Sequence, residues 1–285
     1  MTPAPIEAHR GNLIGRYPIP AFFVIAYAFS WTIGGLLVAD RQGALSVPQG
    51  LHYISAFGPA IAALIVTAVV GGRAGLADLL RRIVRADVGG RWWLIGLGVP
   101  LALGLVAVVV YALSNGALPE LGLFGTVDYL GDIGVPAALA LWIATYGFGE
   151  EIGWRGFAFH RMASGGWLQA AALIGVLWGL WHLPYFFYKE NFIALGVGGF
   201  AGYIISITMG SILLSWIYRG SGHSILLVAL WHGLFDFVTA SPVAAGTGRA
   251  IVSGVVIVWV ILIVRRAARD RALTAGAQMN QARRG

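Results

Sequence analysis

The chain has 285 residues, of which 58% are hydrophobic and only 11% charged. Soluble domains average about 45–50% apolar and about 25% charged residues, so a water-soluble fold is excluded and an all-α polytopic membrane protein is expected. The net charge of +7 would suggest nucleic acid in a soluble protein, but here the arginines gather in short loops between apolar stretches, as topology determinants beside anionic lipid, and no nucleic-acid partner is expected.

A membrane-spanning helix needs about 20 mainly apolar residues. Residues 1–20 read as a polar cytoplasmic leader with His9, Arg10 and Arg16. The stretch Ala21–Ala39 is long for a signal peptide and has no clear small-residue cleavage site, so it reads as a retained first span. The next candidates are Leu51–Val70, Trp92–Leu113, Gly134–Gly149 running on through Arg155, Trp167–Phe187, Leu195–Ile217, Ser224–Ala240 and Ala250–Val264. The expectation is therefore about eight spans in a single transmembrane domain, 21–266, with a catalytic part at 134–240 and a flexible cytoplasmic tail at 267–285.

Arginines follow the second span (Arg73, Arg81, Arg82, Arg85, Arg91), the fourth (Arg155, Arg161), the sixth (Arg219) and the eighth (Arg265, Arg266, Arg269, Arg271), whereas Glu120, Asp128 and Asp132 lie in an opposite loop. The positive-inside rule then puts both termini in the cytoplasm, as in a bacterial-type plasma membrane protein. Between Arg73 and Arg91, Leu76, Leu79, Leu80, Ile83 and Val84 recur at helical spacing among arginines, the pattern of an amphipathic helix lying on the membrane face. There are no cysteines, which excludes disulfides, thiolate catalysis and cysteine metal sites.

Charge at bilayer depth costs at least about 2.5–3.5 kcal/mol per group on insertion scales, so the ionisable residues inside the apolar segments carry the functional signal. The fourth span reaches normal length only if the helix continues through Glu150-Glu151-Ile152-Gly153-Trp154-Arg155. Successive helical residues point about 100° apart, so the two glutamates face different surroundings. Glu151 and Arg155 are four apart in the favourable order for an ion pair, which leaves Glu150 free to act as a base. Gly147, Gly149, Gly153 and Gly156 surround the pair and allow close helix packing.

In the fifth span, Trp178 and His182 are four apart, with Pro184 disturbing the helix just beyond. In the seventh, His232 and Asp236 share a face. Each motif alone also fits a packing histidine or a hydrogen-bonded structural pair. Together they are satisfied by one shared polar cavity among spans four, five and seven. Counting along the fifth span places His182 nearer the outer end than the depth of Glu150 suggests. His9, His160 and His223 lie in the leader or near helix ends and read as interfacial residues.

This order, Glu-Glu-x-x-x-Arg, then aromatic-x-x-x-His, then His-x-x-x-Asp, each on its own span, resembles the CPBP group of intramembrane endopeptidases, which contains the CAAX prenyl proteases. The resemblance covers Glu150 to Asp236. It implies that Glu150 and His182 activate a water, that His232 and Asp236 bind the oxyanion or orient the substrate, and that Glu151 and Arg155 support them, with Trp178 at a position where phenylalanine is usual. Asp236 stands where eukaryotic prenyl proteases have asparagine. An ionised Asp236 repels an oxyanion, so it must be protonated or orient His232 instead. The implied partners are a peptide or membrane-protein substrate and the bilayer, with no cofactor favoured. A divalent metal such as zinc, held by Glu150, His182 and His232, is one alternative. A proton-coupled transporter is another, since buried Glu, His and Asp also build proton relays, and a catalytically silent scaffold is a third.

Overall fold

The computed structural model describes residues 12–282, with side chains described through residue 270. His9 and Arg10 of the expected leader lie outside the described residues. The chain is helical nearly throughout; the strands among the described residues are a short antiparallel pair, Thr126–Val127 with Gly131–Asp132, in the loop before the fourth span.

Eight helical segments carry the fold. They are α1 (Pro18–Arg41), α2 (Gly58–Ile83), α3 (Gly90–Asn115), α4 (135–162), α5 (Trp167–Trp181), α6 (Gly196–Gly220), α7 (Ile225–Ala240) and α8 (Thr247–Ala282). Six helices among the described residues are long and apolar enough to cross a membrane. Of the others, α7 has 16 residues, and α4 alternates between α- and π-helical runs. Prolines sit in the first turn of α1, α2 and α4, where the missing N–H is unpaired anyway. Gly116, in the left-handed conformation, ends α3. The Ser224 hydroxyl caps α7 by accepting from Leu227 N–H. The last helix continues through positions expected in the tail. Large apolar side chains such as Val24, Leu101, Leu105, Ile205 and Leu262 face outward, as lipid requires.

The segment after Arg73 is helical, as expected, set off from the apolar part of α2 by a kink at Gly72 (φ 53°, ψ −149°) and ending at Ile83. Its inward face holds Leu79 and Arg82, while Leu80 and Val84 point outward. Arg82 is buried because three partners take it up: Asp78 at 3.0 Å, the Gly156 carbonyl at 2.7 Å and the Tyr218 hydroxyl at 2.7 Å. Arg155, grouped above with the loop arginines, is fully buried inside α4.

α4 is central. Its backbone passes through two π-helical runs, Ile143–Glu150 and Trp154–Phe159. Such widened turns are uncommon and concentrate at functional sites. Its glycines permit the packing: a Cβ on Gly147 would meet the Ala229 carbonyl oxygen of α7 at 2.5 Å, and one on Gly153 would meet Pro59 of α2 at 2.4 Å. α4 is thus wedged between α2 and α7 with its carboxylates inside the protein.

Candidate active site

Glu150 and Glu151 are both buried, but in different places. The last π-helical turn directs Glu150 into a cavity of about 670 Å³, shared with Trp178, His182, Tyr203, His232 and Asp236. Glu150 Oε2 accepts from the indole N–H of Trp178 at 2.5 Å and from that of Trp154 at 3.3 Å. Two neutral donors therefore aim the carboxylate without neutralising it.

Glu151 lies behind the cavity wall. Its Oε1 takes hydrogen bonds from Arg155 Nη1 at 2.8 Å and from His232 Nδ1 at 2.8 Å. The Arg155 guanidinium lies 4.6 Å from the centroid of the Trp178 ring. Glu151 Oε2 and Arg155 Nε and Nη2 are buried with no hydrogen-bond partner among the described residues.

α5 stops at Trp181, and His182 occupies the turn that ends it. The Nδ1–H of His182 donates to the Trp178 carbonyl at 2.8 Å, which leaves Nε2 as an acceptor in the neutral ring. His182 thus lies one helical turn beyond Trp178, whose indole binds Glu150. Pro184 stands in the same break, and the chain resumes helix at Tyr185–Tyr188. On α7, His232 Nε2 is 3.4 Å from Asp236 Oδ2. The Trp178 ring meets both imidazoles, edge-on to His232 at 5.3 Å and tilted to His182 at 6.0 Å. The structure thus brings Glu150, His182, His232 and Asp236 to one cavity, with Trp178 in its wall and the Glu151–Arg155 pair behind.

A zinc ion would need three converging donors. Among the described residues no group of three or more His, Cys, Asp or Glu side chains is arranged to hold a metal. Glu150 Oε2 is engaged by indole donors and His232 Nδ1 by Glu151.

A second polar cluster escaped the sequence reading. His52, from the short turn Leu51–Ser55 before α2, is fully buried. Its Nδ1 is 2.7 Å from the Tyr188 hydroxyl and its Nε2 2.7 Å from the Tyr146 hydroxyl. Lys189 Nζ lies 3.4 Å from the same Nε2 and pairs with Asp128 at 2.9 Å. Tyr146 is one turn before Glu150, and Tyr185 and Tyr188 follow His182, so His52 ties together the two segments that carry the candidate base and its partner. The available signal was the spacing of Trp181, Tyr185 and Tyr188 along one helical face, and a lysine closing an apolar stretch.

Residues 133–238 match the family model described as type II CAAX prenyl endopeptidase, Rce1-like. The chain is also 27% identical over 137 residues to the CAAX prenyl protease 2 of Methanococcus maripaludis, an alignment covering 46% of this chain and 49% of that relative. The chain thus spans about half the length of the curated relative it matches. The matched stretch runs from the start of α4 to near the end of α7 and contains Glu150, Glu151, Arg155, Trp178, His182, His232 and Asp236. Residues 133–238 are thus similar to the Rce1-like CAAX prenyl endopeptidases of the CPBP group.

Proposed function

We propose that the chain is an intramembrane endopeptidase that hydrolyses a peptide bond with a water activated by Glu150. The observation that carries this reading is the division of labour between adjacent carboxylates: Glu150 opens on the cavity with both histidines and Asp236, while Glu151 is tied up behind it.

A water between Glu150 and His182 gives one hydrogen to the carboxylate and a hydrogen bond to His182 Nε2. Glu150 takes the proton as the water oxygen adds to the scissile carbonyl carbon. The carbonyl π electrons move to oxygen, and the tetrahedral oxyanion is held by Nε2–H of His232 as the imidazolium, whose Nδ1–H is given to Glu151. Collapse re-forms the carbonyl, breaks the C–N bond, and the leaving nitrogen takes the proton back from Glu150. Asp236 orients His232 and does not touch the oxyanion, since its own carboxylate would repel it. Glu151 fixes His232 from the opposite ring nitrogen at 2.8 Å. No covalent intermediate and no metal-bound step is part of this scheme. The substrate is a peptide segment that reaches the membrane interior, and both termini of the enzyme lie in the cytoplasm.

The test is turnover of peptides in proteoliposomes, with prenylated and unmodified CAAX-type and internal sequences offered side by side. Glu150→Gln keeps the shape and removes the base; a loss of about 10²–10⁴-fold is expected, with unchanged membrane insertion. Full turnover by this variant would remove Glu150 from the mechanism.

A further inference from the structure

Beyond the cavity, at the opposite end of α4 from its entry loop, two imidazoles are held together by unusual means. His223 adopts a left-handed backbone (φ 71°), directly after Gly222 at φ 68°. A histidine in this region is uncommon and strained, and such strain persists where surrounding structure enforces it. The enforcing contacts are visible. The His223 N–H donates to the Tyr218 carbonyl at 2.8 Å, and Ser224 Oγ donates to the Arg85 carbonyl at 2.6 Å. His223 is thereby set edge-on to His160, with ring centroids 5.1 Å apart, and both residues reach the surface with their rings partly buried.

His160 is fixed from behind. Arg82 donates to the Tyr218 hydroxyl, so that hydroxyl gives its own hydrogen to His160 Nδ1 at 3.2 Å. The outer nitrogen, Nε2, then carries the N–H. A relay from Asp78 through Arg82 and Tyr218 therefore presents a hydrogen-bond donor at the surface.

The charge around this pair is one-sided. Arg161 lies over the Phe157 ring at 3.9 Å and Arg219 over Trp167 at 4.8 Å. A Cβ on Gly222 would lie 3.3 Å from the Arg85 guanidinium carbon. Asp78 is the counter-charge, and it is already engaged by Arg82 and, at 3.6 Å, by Arg81. Burial first, then Arg82, Arg85 and Arg219, push the His223 pKa below its ordinary value, with Asp78 opposing. Two imidazoles alone would suit a metal cation, but the surrounding guanidiniums repel one. They suit a phosphate, which takes donors from planar guanidinium forks and imidazole N–H groups.

We propose that His160 and His223, with Arg85, Arg161 and Arg219, form a binding site for the phosphate of an anionic phospholipid. The lipid source is favoured over free phosphate because Leu80 and Val84 present apolar surface outward from the same α2 extension that supplies Arg82 and leads into Arg85. This gives acyl chains a place beside the headgroup. The site is independent of the proposed hydrolysis.

The test is native mass spectrometry of the full chain in detergent, titrated with phosphatidylglycerol, phosphatidylcholine or inorganic phosphate. The wild type is expected to retain phosphatidylglycerol in preference to both others. Each of Arg161→Gln and Arg219→Gln should weaken that retention about fivefold, the increment for one basic residue near an anionic surface, while Arg265→Gln should leave it unchanged. His223→Gly should weaken retention and raise the melting temperature, because glycine relieves the left-handed backbone. That combination separates a ligand role from a folding role. Equal retention of phosphatidylcholine, preferential retention of inorganic phosphate, or phosphatidylglycerol retention unaltered in the Arg161, Arg219 and His223 variants would each overturn the proposal.

Discussion

The two buried polar clusters differ in how well they are satisfied. Around His52 both ring nitrogens meet tyrosine hydroxyls at 2.7 Å, and Lys189 has Asp128 as a counter-ion. Around Glu151 a full charge pair is buried with three polar atoms unpartnered among the described residues. Buried polar groups are normally paired, and exceptions call for an explanation. A cluster built only for stability would resemble the first. The second tolerates orphaned donors because its geometry serves another group: Glu151 holds His232, and Arg155 backs the Trp178 ring whose N–H aims Glu150.

The sharpest way to break this comparison is to cut the ion pair. Arg155→Leu leaves the buried Glu151 charge with His232 alone, and removing one partner of a buried ion pair costs about 3–5 kcal/mol. The expected outcome is a large drop in thermal stability in detergent. In the double variant Glu151→Leu/Arg155→Leu much of that loss should be recovered, because the desolvation cost of both charges disappears. Activity should stay low in the double variant, since His232 has lost its anchor. Recovery of both stability and turnover would show that the pair is structural only.

His52→Phe probes the other cluster at intermediate size. It strands two tyrosine hydroxyls, and an unsatisfied buried hydroxyl costs about 1–3 kcal/mol. Stability should fall by an amount in that range, and Tyr146→Phe combined with His52→Phe should cost less than the sum, because the two share one hydrogen bond. Additive losses in thermal unfolding would mean that the Tyr146–His52 contact contributes nothing.

The two clusters also differ in how legible they were. Glu151 with Arg155, Trp178 with His182, and His232 with Asp236 are each four apart on one helix, so the helical period alone reports that they share a face. The helical, membrane-spanning character was legible from apolar length; among the described residues six of the eight expected spans are helices long and apolar enough to cross, and α4 and α7 fall short of that. What the period does not report is contact between distant segments. His52 meets Tyr146 and Tyr188 across separations of 94 and 136 residues, and a lone histidine in an apolar run carries no sign of its partners. The burial of Arg82 was hidden likewise, since its partners Gly156 and Tyr218 lie on α4 and α6. The early end of α5 was half legible: Pro184 marked a break, but the helix ends two residues before the ring constrains it, at the turn holding His182.

The smallest effect belongs to the outer edge of the His52 cluster, where Lys189 meets Asp128. Lys189 is 9% exposed at its side chain but Asp128 is 55% exposed, so water screens the pair and its contribution is about 0–1 kcal/mol. Asp128→Asn should barely move the melting temperature. Lys189 and Asp128 both line the cavity that holds Glu150, and Asp128 belongs to the loop between α3 and α4, whose backbone also accepts from Tyr53 at 2.7 Å. Loosening the side-chain tie therefore alters the cavity mouth and leaves the packing beneath it in place. The expected signature is a changed KM for peptide with kcat retained, because the site chemistry lies deeper. A fall in kcat at constant KM would mean that Lys189 acts through His52 and Tyr146 on Glu150, and the two clusters would then work as one.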